Sequence, residues 1–373
     1  MTKPSNDRLS PVIADRLKRC RRKLAKGGVS AFLITNPVDY YYLTGFTGED
    51  SAVLVTAGDV HMISDGRFDE TLNHECPWAT KWLRKGSLNA EIGSVLGKLK
   101  IKSPGVQTDH LTVADHAEIK KLGKLRQPKA APPVIAEMRR IKERSELTVM
   151  GKALRIAEEA FMATCAAFRI GQTELELAAR IEFEMKTRGA SGPAFPTIVA
   201  EGPNAARPHA HPGQRKVKLG SAVLFDWGAK VNGYRSDLTR MVFIGRIPPR
   251  LGEVYRIVLD AQMRAIKAIR PGVKMCDVDA VARKAIAEAG YAKAFNHGLG
   301  HGLGLDVHEP PSLSWRSEEK LVAGMVVTVE PGIYLPGIGG VRIEDDVLVT
   351  PTGCRVLSRL PKRLDEAVVQ PAS

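Results

Sequence analysis

The chain has 373 residues, 44% hydrophobic and 26% charged, with a formal net charge of +14. This is the composition of a globular protein with enough residues for two domains, which excludes a disordered chain and a coiled coil. The longest apolar runs, residues 30–35 and 325–329, fall far short of the roughly 20 residues a membrane span needs. The opening residues 1–7 lack an apolar signal region. Five cysteines, Cys20, Cys76, Cys165, Cys276 and Cys354, are scattered without a Cys-x-x-Cys pair and read as reduced thiols of a cytoplasmic protein.

In chain order, a helix is expected over residues 8–27, with the densest basic cluster at 16–26. Leu17 and Leu24 at helical spacing make this an amphipathic helix with a solvated basic face. No interleaved aromatics or zinc-finger spacing accompany the cluster, so a nucleic-acid partner is not expected. Short strand-like runs at 31–35, 51–55 and 60–64 complete an α/β lobe spanning 1–130. The Pro-rich, aperiodic stretch 126–133 marks the boundary to a second domain, 131–373. There a helix over 143–168 ends at Gly171, and Thr173 and Glu176 have the spacing of a capping box that opens a second helix to about 187. Strands at 197–200 and 222–225 follow. The order then recurs: helices at 252–269 and 277–289, then strands from 295 onward. Two related halves are predicted, each contributing to a central antiparallel sheet with helices on one side, so the fold class is α+β.

The most informative segment is 223–240. Asn232-Gly233 between alternating runs is a strong hairpin signal; a two-residue turn there sets Val231 opposite Tyr234 and Asp226 opposite Thr239. Asp226 and Asp237 then share a face as diagonal neighbours, roughly 7–8 Å apart at Cα, and two converging buried carboxylates call for a cation. Further on, His297, His301 and His308 fall within a glycine-rich run that lacks the lysine and following helix of a phosphate loop; its glycines are expected to admit a close backbone or substrate. Glu330 ends an apolar strand and Glu344 lies in the interior of another. A buried acid in either place is costly unless paired or bound to metal, and Arg342, on the same face, is a candidate partner of Glu344. Four carboxylates and one histidine form a hard, oxygen-rich set that suits Mn²⁺, Fe²⁺ or Co²⁺ better than a thiolate zinc site does, and the number of carboxylates favours two ions.

In that order and with their flanks, Asp226, Asp237, His301, Glu330 and Glu344 resemble the metal set of the pita-bread metallopeptidases. The segments 195–209, 236–240, 300–310, 329–334 and 341–346 look like the proline-specific branch, the Xaa-Pro aminopeptidases and Xaa-Pro dipeptidases. Residues 42–46 and 65–67 look like its creatinase-type N-terminal domain. The resemblance covers nearly the whole chain. It implies a pita-bread domain of pseudo-twofold halves and a dinuclear exopeptidase that hydrolyses an N-terminal Xaa-Pro bond through a metal-bridging hydroxide. It also implies two divalent ions, Mn²⁺ first with Co²⁺, Fe²⁺ or Zn²⁺ as alternatives, and a cytoplasmic homodimer. By the same resemblance Asp226 binds one ion with both oxygens, Asp237 and Glu344 bridge the pair, and His301 and Glu330 complete the other site. Glu330 shuttles the proton to the leaving nitrogen, His209 and His308 hydrogen-bond the substrate, His297 lines the proline pocket, and Arg342 holds Glu344 from behind. His211 competes with His209 for its role. Dipeptidase and aminopeptidase P both remain open. The rivals are a non-catalytic binding module, using the basic surface on peptide or nucleic acid, and a metal-free creatinase-like hydrolase; the intact set of five ligands disfavours both.

Overall fold

A computed structural model describes residues 9–371; residues 1–7, read above as lacking a signal region, and the first residue of the expected N-terminal helix lie outside them. The chain divides into two compact units after Arg139. The Pro-rich stretch falls inside the first unit because the short helix that follows it, Val134–Arg139, packs on helices Pro11–Lys26 and Pro37–Thr44. Arg139 pairs with the buried Asp39 there at 2.8 Å.

The first unit is a six-stranded mixed sheet in the order Thr80–Arg84, Val60–Asp65, Ala52–Thr56, Ala31–Ile34, Gly105–Val106, Lys129–Ala130. Helix Pro11–Lys26 starts where Ser10 Oγ accepts from the Ile13 N–H, and buries Leu17, Cys20 and Leu24, as the heptad-like spacing requires. The basic face is not simply solvated, and this corrects the expectation. Arg16 is buried, donating to the Tyr42 carbonyl at 2.8 Å with its guanidinium over the Tyr42 ring. Arg21 donates to the carbonyls of Thr56 and Asp59. Carbonyls at element ends and in the turn after Thr56 need donors, and the long arginine stems supply them while covering apolar surface.

The second unit shows the helix–helix–strand order twice. Helix Glu174–Thr187 opens with the expected capping box: Thr173 Oγ1 accepts from the Glu176 N–H at 3.1 Å and Glu176 Oε2 from the Thr173 N–H at 2.7 Å. With helix Arg144–Ala166 it covers one face of a four-stranded sheet ordered Val368–Val369, Leu238–Ile244, Ala222–Trp227, Ile198–Glu201. Helices Pro249–Ala268 and Met275–Glu288 serve a five-stranded sheet ordered Glu309–Leu313, Gly300–Gly302, Val326–Val329, Asp345–Val349, Cys354–Val356. Among the described residues the unit thus has these two larger sheets, with a three-stranded and a two-stranded one beside them, rather than one central sheet. The strand parity explains how they join. Val223, Phe225 and Trp227 face the first helix pair, whereas Leu224, Met241 and Phe243 join the core of the second half beside Val327, Val329 and Val347.

Asn232 and Gly233 both have positive φ, 46° and 80°, the signature of a type I′ turn. The pairing is in the expected register, Val231 opposite Tyr234 and Asp226 opposite Thr239. The ribbon is interrupted at Gly228, where a Cβ would lie 1.8 Å from the Ser236 carbonyl oxygen. Gly228→Ala therefore forces the two strands apart, with an expected loss of about 3 kcal/mol. A lowered denaturant midpoint for unfolding of the C-terminal unit is the measurement that checks it.

Candidate active site

The face of the hairpin turned to the second half carries Asp226 at one strand end and Asp237 just before the other, as period-2 alternation dictates. Opposite them, the strand Gly300–Gly302 presents His301. Gly300 permits that strand to lie against its neighbour, since a Cβ there would sit 2.0 Å from the Thr328 carbonyl oxygen. Glu330 follows the strand Val326–Val329 directly, its N–H donating to the Leu299 carbonyl at 2.8 Å. Glu344 is not in a strand interior, as expected from sequence. It lies in the two-residue break between Gly339–Arg342, part of a two-stranded sheet, and Asp345–Val349 of the five-stranded sheet.

All nine candidate residues line one cavity of about 470 Å³: Asp226, Asp237, His301, Glu330 and Glu344, with His209, His297, His308 and Arg342. His301 Nε2 lies 3.3 Å from Glu330 Oε1 and 3.7 Å from Asp237 Oδ2. Asp237, His301 and Glu344 each offer a donor atom within 4.8 Å of the others. Arg342 departs from the expectation that it holds Glu344. Its Nη2 donates to Asp226 Oδ2 at 2.6 Å and its Nε to Thr239 Oγ1 at 3.0 Å. Thr239 in turn donates to Glu344 Oε2 at 2.7 Å. The strand break explains the difference: the chain turns between Arg342 and Asp345, so the two side chains no longer stack on one face as residues two apart in a strand do.

The electrostatics follow from crowding like charges away from water. Burial, then the charges of Glu344 and Asp226, push Asp237 well above the usual carboxylate range. Burial and the nearby Glu330 and Asp226 do the same to Glu344. Asp226 is raised less far, burial being opposed by Arg342. Glu330 goes the other way: burial opposes its ionisation, but the hydrogen bond and charge of His301 outweigh it and hold the carboxyl at about 2. Burial lowers His297 and His308, the latter also through His301. Four carboxylates thus share a cavity with one guanidinium, an arrangement whose repulsion a divalent cation relieves. The donors are oxygen and imidazole nitrogen, and none of the five free cysteines lines the cavity. The set fits hard divalent ions, with Asp226, Asp237, His301, Glu330 and Glu344 as the residues able to hold them.

Sequence reading gave no role to Tyr334 or Thr328. Tyr334 is buried, with its hydroxyl 2.9 Å from His297 Nε2 and accepting from Arg342 Nη1 at 2.8 Å. It lies in the 329–334 segment, but only the need of a buried hydroxyl for partners could have signalled it. Thr328 Oγ1 accepts from the His301 N–H at 3.0 Å and donates to Glu330 Oε1 at 3.2 Å. His211 also lines the cavity beside His209.

A family model described as metallopeptidase family M24 matches residues 148–351, and one described as creatinase/prolidase N-terminal domain matches 16–141. An Xaa-Pro dipeptidase of Pyrococcus horikoshii is 35% identical over 354 residues, covering 95% of this chain and 99% of that relative. Among solved structures, an Xaa-Pro dipeptidase from Bacillus anthracis aligns with a TM-score of 0.90 at 34% identity, over 96% of this chain and 99% of that one. An X-Pro aminopeptidase from Thermotoga maritima aligns with a TM-score of 0.87 at 35% identity, over 94% and 99%.

The raised Asp237 and Glu344 carboxyls retain protons at pH values where free carboxylates have lost them, and a metal ion must displace those protons to bind. Mn²⁺ titrated into the metal-free protein is expected to release protons, and its affinity to fall as pH falls. Calorimetry in two buffers of different ionisation enthalpy checks this; equal heats in both would refute it.

Proposed function

This chain belongs to metallopeptidase family M24 and carries a creatinase/prolidase N-terminal domain, and on that premise we propose that it hydrolyses the Xaa-Pro bond of dipeptides or short peptides with two divalent ions. The observation that carries the reading is the convergence of all nine candidate residues on one cavity. The names of similar proteins, Xaa-Pro dipeptidase in Pyrococcus horikoshii and Bacillus anthracis, support dipeptides as the first substrate class. The similar X-Pro aminopeptidase of Thermotoga maritima supports longer peptides as the second reading.

Asp226, Asp237, His301, Glu330 and Glu344 would hold the ions, which when bound would supply the positive charge that lowers the pKa of a nearby water and polarises a carbonyl. The residues of the chain do the rest. Glu330, held by Thr328 and by its backbone bond to Leu299, carries a proton from water to the departing proline nitrogen. The hydrogen bond and charge of His301 hold the Glu330 carboxyl at about 2; a neutral His301, the form able to ligate a cation, would remove that charge. His209 and His308 donate hydrogen bonds as the carbonyl oxygen gains charge. His297, fixed by Tyr334, forms a wall of the proline pocket. Arg342 and Thr239 hold Asp226 and Glu344 from outside the donor set. The oxygen-rich donors favour Mn²⁺, and five free thiols are in keeping with a cytoplasmic protein. The homodimer rests on the family resemblance.

Purified, Mn²⁺-loaded protein is expected to cleave an Xaa-Pro dipeptide, with an Xaa-Pro-Pro tripeptide as the comparison that separates dipeptidase from aminopeptidase P. Glu330→Gln is expected to lower kcat by about 10²-fold or more, and Asp237→Ala to abolish metal-dependent turnover. Failure of the wild-type protein to cleave either peptide sinks the reading.

A further inference from the structure

His308 is exposed at the cavity wall, its ring 4.3 Å from that of His301. Its position is therefore set by the backbone that carries it, residues 302–309. One end of that segment is the strand Gly300–Gly302; the other is Glu309, the residue immediately after His308. The Glu309 carboxylate turns away from solvent to meet Lys142, with Nζ to Oε1 at 2.6 Å and the two side chains 1% and 5% exposed. The Asp306 N–H points at the other carboxylate oxygen at 3.4 Å. Gly304 closes over the pair so tightly that a Cβ would lie 2.6 Å from Glu309 Oε1 and 3.1 Å from Lys142 Cε. Lys142 is itself anchored, its N–H donating to the Gly324 carbonyl at 2.8 Å.

A buried ion pair contributes little net stability, because the desolvation of both charges offsets their attraction; what it can supply is a fixed position. Both groups lie outside the donor set, and the acid is joined by one peptide bond to His308. We propose that Lys142 is a positioning residue of the reaction: through Glu309 it fixes the 302–309 segment, and so places the His308 ring where it can reach the substrate carbonyl. This rests on the role given above to His308.

The test is a double-mutant cycle with metal-loaded protein. Lys142→Met is expected to lower kcat/KM roughly ten- to hundredfold through misplacement of a donor, with bound metal unchanged. In a His308→Ala background the same substitution is expected to have less than about a twofold effect, since the two changes act through one group. A loss of equal size in both backgrounds, or no loss in the first, overturns the proposal. Because Lys142→Met strands a buried carboxylate and can impair folding, Lys142→Met/Glu309→Leu, which removes both charges, is measured alongside it. Amide hydrogen exchange across 302–309 is expected to accelerate in both variants; wild-type exchange there overturns the proposal. That second measurement needs no turnover. If the wild-type protein cleaves no Xaa-Pro peptide, the functional reading fails, while exchange still decides whether Lys142 fixes the segment.

Discussion

Four carboxylates share one buried cavity, and the geometry around them answers the problem of keeping like charges together. Arg342 grips Asp226 directly and reaches Glu344 through the Thr239 hydroxyl. His301 and Thr328 hold Glu330. Asp237 and Glu344 remain the strained members, their carboxyls pushed well up by burial and by their neighbours. That residual repulsion suits the cavity to a divalent cation, whose charge would offset it where one guanidinium does not.

The three consecutive acids at 344–346 show how finely the fold divides similar side chains. Glu344 turns into the cavity. Asp345 alternates to the helix side, where Arg240 at 2.8 Å, Ser358 at 2.6 Å and Gln262 at 3.2 Å satisfy it, with Lys362 also in contact. Burial opposes its ionisation, but Arg240 and Lys362 prevail and its carboxyl stays below the usual range. Asp346 returns to the cavity side and accepts from the Asp237 N–H at 3.3 Å. The strand Asp345–Val349 and the residue just before it thus supply a donor, a structural ion pair and a support for a second donor, the last two divided by strand alternation.

Both halves are needed for this. The first hairpin buries one face under its own helices, and its other face, which bears Asp226 and Asp237, enters the core of the second half. Glycines at 228, 300 and 302 let the backbones approach closely enough for the donors to converge; a Cβ at Gly302 would sit 2.5 Å from the Glu309 carbonyl oxygen. The excess basic charge does not mark a binding face by itself. Arg16 and Arg21, within its densest cluster, are committed to backbone carbonyls of the first unit.

What the sequence determined was local and periodic. Asn232-Gly233 sets the hairpin register, and with it the shared face of Asp226 and Asp237, because a type I′ turn has one length and side chains alternate strictly. The capping box at Thr173 and the doubled helix–helix–strand order are likewise written in short-range pattern. What the tertiary structure decided concerns groups distant in the chain. The partner of Arg342, the hydroxyl of Tyr334 bridging His297 and Arg342, the division of the strands into separate sheets, and the Lys142–Glu309 pair each depend on where one strand ends and which segment then arrives beside it. Short-range spacing cannot encode that arrival, since these contacts form only when separate elements pack against one another.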